Sequence, residues 1–483
     1  MRAKLRLMDA SAAVMALVLL GSGGSAGAVD VFNTNAQVSQ NPATPILQGT
    51  EGAPCSFGAV SVPLQLFDAI ERTLCQSPRT RSAWAGVKSA AAAVGAAKAA
   101  YLPTLDGAAT YGRDHDKTTV NGPQTLNSDY SQNVNTESLQ LGWVLYDFGG
   151  REAVLRNSRQ LLTAAQAIQN ETLQAAFANT AKDYYAAQAA NAKVQSTRRI
   201  EAGAQKSLDA AVARYKSGVV PVTDQLQAKT ASAQAVYERA AAEGNYRMAL
   251  GILAVDMNLP PDHPLSMPDL DQGVLPDTHF VLAVHDLVEE AKHSHPSVQA
   301  ANAQWQAALA GVSLARAQGL PKIGVAGTLE RSAEPLNAAI GTLTYPSVSK
   351  SASIGLTLQV PIFEGFSRSY SIRQAEALAE EQEAAFHDAE QQVSTTVWTA
   401  YQALQIGTEN LRNTEAISQS AAEAFEASQQ RYSSGVGNIL ELLNAQTTLA
   451  SAEQLRIQAQ VDWRTARLQL AASLGKLGMW AVK

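Results

Sequence analysis

The sequence contains the same arrangement of landmark residues twice, about 217 residues apart. The landmarks are a Leu-Pro step, a glycine-containing turn that ends in Arg, and an Arg-Tyr pair followed by Gly. They are Leu102-Pro103 and Leu320-Pro321, Asp147 to Arg151 and Glu364 to Arg368, and Arg214-Tyr215 and Arg431-Tyr432. Landmarks held in register over such distances indicate a duplicated structural unit. We therefore expect two structural repeats, which are too few for a solenoid.

The first 28 residues have the pattern of a secretory signal peptide. Arg2, Lys4 and Arg6 supply a basic start, residues 12–20 are apolar, and small residues end the segment at Ala28. The mature chain is therefore expected to be exported. No later stretch reaches the roughly 20 apolar residues of a membrane-spanning helix, so a place in a membrane would require a barrel.

Cys55 and Cys75 are the only cysteines of the chain. An exported protein meets an oxidising environment in which these residues can pair. We expect a disulfide that ties an N-terminal arm, residues 29–61, to the first helix. Two unpaired buried thiols and a metal site are the alternatives, although two cysteines alone seldom make a metal site.

Composition favours long helices over a large globular core. Aromatic residues make up 6% of the chain, and Ala, Gln, Ser and Glu dominate long stretches. Such a composition is typical of helices that pack through small residues. The net charge of −6 gives no electrostatic reason to expect nucleic acid as a partner.

Both repeats predict the same order of elements. A short helix precedes an Ala-rich helix of about 23 residues, which stops at the Leu-Pro step because the residue before proline avoids the α region. Alternating apolar residues, such as Leu139, Leu141 and Trp143, then predict strands. Residues 150–216 and 367–433 lack proline and predict helices of 67 residues each.

These elements divide the chain into segments. The expected segments are the signal peptide (1–28), the arm (29–61), the first repeat (62–260, hairpin about 103–148, return helix 223–257), a linker (261–278), the second repeat (279–478, hairpin about 321–364, return helix 438–474) and a tail (479–483). Polar loops are expected inside the hairpins, at 115–133 and 335–349.

The strands have one apolar and one polar face, which fits either a half-buried soluble sheet or a transmembrane sheet. The long helices favour the second interpretation, because a compact domain has no need of a helix of roughly 100 Å. Four strands cannot close a barrel, and an open edge is not tolerated in lipid. Two, three or four copies would supply eight, twelve or sixteen strands. Three or more are favoured because eight strands leave an interior filled by side chains.

The most specific motif follows each long helix. Gly218 and Gly435 fit a helix C-cap that needs a left-handed residue, and Thr223 or Asn438 can help to begin the return helix. Each long helix is therefore expected to turn sharply and come back.

Together these paired signatures resemble the TolC family of outer-membrane efflux and secretion channels, over residues from about 62 to 478. The resemblance implies an α+β membrane protein with two structural repeats, in which each repeat combines a long-helix coiled coil with a β-hairpin. It implies a homotrimer with a 12-stranded β-barrel in outer-membrane lipid and an α-helical periplasmic tunnel. It also implies a periplasmic adaptor and an inner-membrane ABC transporter or proton-driven pump. The stretch around Cys75 is similar to the CyaE-like type I secretion branch.

The resemblance also implies a gate and adaptor contact at the two turns. The matching residues are Arg214, Tyr215, Gly218, Thr223, Asp224, Arg431, Tyr432, Gly435, Glu441 and Asn444. Family members bond a Thr-Asp pair to a Tyr and an Arg, beside rings of carboxylates. Gly437 stands where that Arg is expected and Asn444 where a second Asp is expected, so the bonding could shift to Arg214, Lys216 or Arg431. Alternatively, Asp224 and Glu441 are only solvated acids at helix starts.

Nothing in the sequence favours catalysis. His293 and His295 lie on different faces of a predicted helix, without a cysteine beside them, so they make a poor metal site. Tyr146 to Gly150 lacks the Lys of a phosphate-binding loop. We expect no catalytic residue, metal or cofactor.

The function that the resemblance implies is a passive exit duct of a tripartite export system, in type I protein secretion. A multidrug or small-molecule efflux duct with a proton-driven pump is one alternative. A soluble periplasmic coiled-coil scaffold is the other.

Overall fold

The computed structural model describes residues 29–47, 55, 57–122, 127–270, 284–333, 336–337 and 344–478. In the first repeat these residues form α1 (Leu66–Gln76), α2 (Pro78–Ala99), β1 (Thr104–Thr118), β2 (Ser128–Tyr146), α3 (Gly150–Lys216) and α4 (Val222–Asp256). In the second repeat they form α5 (Val284–Ser294), α6 (Pro296–Gln318), β3 (Lys322–Ala333), β4 (Val348–Gln359), α7 (Ser367–Ser433) and α8 (Ile439–Ser473). The bounds of α3 and α7 are those expected from the two proline-free stretches.

The chain divides into two compact units. One unit contains the four strands, within Ala90–Leu161 and Trp305–Glu381, together with the described residues up to Gln37. The other, which we name the helical unit, contains Val38–Ser89, Leu162–Gln304 and Gln382–Lys483.

The strands form one antiparallel sheet in the order β1-β2-β3-β4. The two repeats meet between β2 and β3, where Leu139 lies opposite Leu329. All 12 residues of β4 are exposed, and large apolar side chains such as Ile354 and Leu356 are each 76% exposed. Edge strands β1 and β4 therefore leave apolar side chains and one row of backbone groups uncovered in a single chain.

The prediction of a polar loop at 115–133 was wrong at both ends, where residues 115–118 and 128–133 belong to strands. β1 continues to Thr118 and β2 already begins at Ser128, with His115 opposite Ser131. Backbone pairing does not require apolar side chains, and cross-strand polar contacts add to it. One such contact joins Lys117 Nζ to Asp129 Oδ2 at 3.5 Å. The predicted second loop, 335–349, is also interrupted, because Leu336–Asn337 pairs with Thr344–Tyr345.

The Arg at the end of each glycine-containing turn binds main-chain carbonyls at the end of the preceding strand or just beyond it. Arg151 donates to the carbonyl oxygens of Val144 and Leu145 at 2.6 and 3.1 Å. In the second repeat, Arg368 donates to the Pro361 carbonyl at 3.4 Å. The repeated Arg therefore fixes the passage from strand to long helix.

In the helical unit the main core gathers α1, the middle of α3 and the last turns of α4 and α8. Leu64, Ile70, Leu173, Phe177 and Leu253 are fully buried there. The arm residues from Val38 onward are part of this unit, where Trp84 Nε1 donates to the Ser39 carbonyl and Gln169 Nε2 to the Pro42 carbonyl, both at 2.9 Å.

A disulfide joins Cys55 of the arm to Cys75 of α1, with the two Cα atoms 5.6 Å apart. The predicted signal peptide, the predicted tail and linker residues 271–278 lie outside the described residues.

A buried arginine holds the described part of the linker. Arg464, in α8, donates to Gln188 Oε1 at 2.8 Å and to the Leu270 carbonyl at 2.7 Å. Gln188 Nε2 in turn donates to the Asp269 carbonyl at 2.8 Å. The segment between the repeats is therefore tied to both α3 and α8.

Within the described residues, no helix combines the length and the apolar character that crossing a membrane requires.

Candidate functional site

The candidate site consists of two helical turns, which we name the first tip (residues 208–228) and the second tip (residues 425–445). Gly218 has φ +71° and Gly435 has φ +86°, the left-handed conformation in which glycine carries no Cβ penalty. Their amides donate to the carbonyls of Tyr215 at 2.9 Å and Tyr432 at 3.1 Å. Both long helices therefore end in the same glycine cap.

The two return helices begin differently. Asn438 Oδ1 accepts the Leu440 amide at 2.8 Å, which is the expected N-cap of α8. The expectation for Thr223 was wrong, because α4 already begins at Val222 and its N-cap position, Pro221, offers no side-chain hydrogen bond. Proline supplies an extended backbone there instead, and Thr223 lies exposed in the first turn.

Tyr432 lies at the centre of the contact between the two tips. Its side chain is 1% exposed, and it packs in a cluster with two residues of the first tip and two of the second. These residues are Ala211, Ala228, Ile439 and Leu442. Sequence reasoning missed them, although the spacing of Ile439 and Leu442 on one face of α8 is a signal for buried positions.

Arg214 joins the tips by a second route. Its Nη1 donates to the Tyr432 carbonyl at 2.8 Å, and its guanidinium carbon lies 4.7 Å from the centre of the Tyr432 ring. A cation over an aromatic face is attracted by the ring. Burial raises the pKa of the Tyr432 hydroxyl and the Asp224 charge raises it further, while Arg214 opposes the shift.

Gly437 has no room for a side chain. A Cβ atom there would lie 2.7 Å from the Tyr432 amide nitrogen and 2.9 Å from the Arg431 carbonyl carbon. The cation of the second tip is Arg431 instead, whose Nε lies 3.3 Å from Glu441 Oε1. Both side chains are about half exposed, so the pair is weak.

The structure brings Arg214 into contact with Tyr432 and, separately, Arg431 into contact with Glu441, while the Asp224 charge acts on the Tyr432 hydroxyl only through its pKa. Tyr215 and Asn444 lie on exposed helix surface, apart from these pairs. The two tips thus share one apolar cluster, with a single buried aromatic ring at its centre and charged groups around it. This arrangement holds the tips against each other.

One of the histidines considered above, His295, has a local role. His295 is half-buried, and burial lowers its pKa. Its Nδ1 lies 2.7 Å from Ser297 Oγ and accepts the Ser297 amide at 3.2 Å. His295 therefore satisfies a free amide at the start of α6. Among the described residues, no group of three or more His, Cys, Asp or Glu could hold a metal ion.

Comparisons with known proteins cover nearly the whole helical and strand region. The family described as outer membrane efflux protein matches residues 69–254 and 287–476. Protein CyaE of Bordetella pertussis is 31% identical over 417 residues, which cover 86% of this chain and 85% of CyaE. Outer membrane protein TolC of Escherichia coli K12 is 23% identical over 445 residues, covering 87% and 84% of the two chains.

A solved structure has the same fold. The outer membrane protein VceC of Vibrio cholerae superposes with a TM-score of 0.72 and 20% identity, over 85% of this chain and 96% of VceC. Sequence and fold agree: the chain is a member of the outer membrane efflux protein family, a TolC-type protein of the outer membrane that reaches into the periplasm, and not an enzyme.

Proposed function

We propose that three copies of this chain form a continuous exit duct, with a 12-stranded barrel in the outer membrane and a helical tunnel in the periplasm. The observation that carries the proposal is the open sheet. β1 and β4 are edge strands of 15 and 12 residues with exposed side chains. In lipid such edges need a partner. Pairing β4 of one copy with β1 of the next covers every edge when the ring closes.

The proposed system is tripartite, with a periplasmic adaptor and an inner-membrane pump that supplies the energy. The 31% identity with CyaE, over most of both chains, favours the type I secretion branch, in which the pump is an ABC transporter. Small-molecule efflux with a proton-driven pump is the alternative within the family. A soluble periplasmic scaffold does not fit a member of an outer-membrane family.

The tips are the proposed gate and adaptor contact. Each carries apolar side chains that one chain leaves uncovered, with Val219 64% exposed and Val436 72% exposed. Exposed apolar groups at the end of a helical hairpin favour docking by another protein.

The test is crosslinking in intact cells, followed by detergent extraction and mass spectrometry of copurifying proteins. Recovery of an adaptor with an ABC ATPase supports type I secretion, whereas a proton-driven pump moves the assignment to efflux. The Val436→Asp variant should lose the adaptor. Glu383→Gln, at an exposed position of α7, is the matched control and should keep it. Extraction as a monomer without inner-membrane partners would overturn the proposal.

A further inference from the structure

The Arg-Tyr motif occurs in both tips, but one chain makes only one of the two possible Arg-Tyr contacts between repeats. Arg214 of the first tip binds Tyr432 of the second. The counterparts at the 217-residue offset, Arg431 and Tyr215, do not meet each other. The Arg431 side chain is 56% exposed, and Tyr215 is 42% exposed, against 1% for Tyr432.

The repeat defines two complementary faces. The donor face consists of Ala211, Arg214 and Ala228 in the first tip. The acceptor face consists of Tyr432, Ile439 and Leu442 in the second tip. One chain joins them in a single cluster. The offset places a second donor face at Ser428, Arg431 and Ala445, and a second acceptor face at Tyr215, Val222 and Gln225.

The second acceptor face lacks the cover that the first one has. Val222 is 45% exposed, whereas its counterpart Ile439 is 2% exposed. The donor and acceptor faces differ, so copies that join through them associate head to tail, and such an association forms a ring when the rotation closes. The second acceptor face therefore matches the second donor face of another copy.

We propose that Arg431 of one copy caps the end of α3 in the next, by donating to the Tyr215 carbonyl as Arg214 donates to the Tyr432 carbonyl within a chain. The occupant of the exposed face is a second copy of this chain. This inference rests on the proposed trimer, and it names a contact that the trimer alone does not specify.

The hydrogen-bonding groups that this contact needs are free. The Tyr215 carbonyl accepts the Gly218 amide at 2.9 Å, and within the described part of one chain no side chain donates to it. A carbonyl oxygen has two lone pairs and can therefore accept two hydrogen bonds. The Tyr432 carbonyl does so, from the Gly435 amide and from Arg214. Arginine has five N–H donors. Arg431 uses its Nε in the ion pair with Glu441, so both of its Nη groups can donate to a neighbouring copy.

The contact between copies is less apolar than the contact within a chain, because Gln225 stands where the first acceptor face has Leu442.

The experiment uses full-length chains in detergent-solubilised envelopes and a short bis-maleimide crosslinker. The Tyr215→Cys/Arg431→Cys variant should give covalent dimers and trimers, with little product from either single variant. The Arg214→Cys/Tyr432→Cys variant is the matched control, because its crosslink should join residues of one chain and leave the monomer mass unchanged.

If an amine-reactive crosslinker traps trimers but the Tyr215→Cys/Arg431→Cys pair yields only monomers or an internal loop, the contact is wrong and the trimer stands. If neither reagent traps an oligomer, the proposed duct fails. An independent readout introduces no new cysteine. Arg431→Ala should lower the resistance of the trimer to detergent, measured as at least a twofold loss of trimer after a fixed incubation. Unchanged resistance would overturn the contact.

Discussion

Arg214 and Tyr432 lie 218 positions apart in the chain and are joined twice, by a 2.8 Å hydrogen bond to the Tyr432 carbonyl and by the guanidinium 4.7 Å from the ring centre. The bond satisfies a carbonyl at the end of α7, where a helix leaves acceptors free and favours positive charge. One side chain thus caps the neighbouring long helix and covers the aromatic ring that the two tips share.

Arg214→Ala should loosen the contact between the tips. A hydrogen bond from a charged donor contributes about 1.5–3 kcal/mol, so the equilibrium between closed and open tips should shift about tenfold or more. Single-channel conductance in planar bilayers should rise in mean value or open time. Lys216→Ala, at the exposed end of α3, is the control. Equal conductance for Arg214→Ala and the parent would exclude this role.

Tyr432→Phe should be tolerated. The Tyr432 hydroxyl is buried and finds no hydrogen-bond partner among the described residues, so its removal leaves no polar group unpaired. Tyr432→Ala should instead cost about 3 kcal/mol or more, because it empties the centre of the cluster. Thermal unfolding in detergent measures both. A marked loss of stability with Tyr432→Phe would mean that another chain supplies a partner for the hydroxyl.

Gly437→Ala should distort the second tip, because its Cβ would meet main-chain atoms of Arg431 and Tyr432 that cannot move alone. Strain of this kind costs about 1–3 kcal/mol. Trypsin cleavage after Arg431 in the folded protein should accelerate. Gly244→Ala is the control, since a Cβ at Gly244 meets nothing within 4 Å; alanine in that helix interior should stabilise by about 0.5–1 kcal/mol. Unchanged cleavage in Gly437→Ala would contradict the steric argument.

Asp256 should make stability depend on pH. Burial, followed by the hydrogen bond and charge of Asp183, raises the pKa of Asp256 to about 6, from an ordinary 3.8, while Arg79 opposes the shift. Between these two values the folded chain binds more protons than the unfolded chain, so stability is greatest below this window and falls as pH rises through it.

Asp256→Asn should remove this dependence and raise the melting temperature at pH 7.5, with little effect at pH 4. Asp256 is half-buried and solvent screens its charge, so we expect a gain of about 1 kcal/mol at most. Asp388→Asn, at an exposed position of α7, serves as the control. A parent melting temperature that is the same at both pH values would refute the prediction.

Arg464→Ala should destabilise the helical unit by about 2–4 kcal/mol, because it leaves Gln188 Oε1 and the Leu270 carbonyl without their donor in a buried site. Arg198→Ala removes an exposed ion pair with Glu243 and should change the melting temperature little. If the two variants unfold at the same temperature, the buried network does not hold the linker.

Local features of the sequence determined much of this fold. Two proline-free stretches were enough to define α3 and α7, because nothing inside them interrupts helical hydrogen bonding. Gly218 and Gly435 marked both tips, because each position needs a left-handed backbone that glycine adopts readily. These properties depend on neighbouring residues in the chain and recur wherever the local sequence recurs.

Tertiary structure decided what the shared Arg-Tyr motif could not. Tyr215 and Tyr432 occupy the same place in the two copies of the motif, yet one is exposed and the other buried, because only Tyr432 meets the other repeat within the chain. The end of β1 and the start of β2 are also decided by tertiary structure, because their polar residues form strand only by pairing with each other. The periodicity of apolar side chains indicates which secondary structure a segment prefers. Burial and strand pairing depend on distant segments that fold against it.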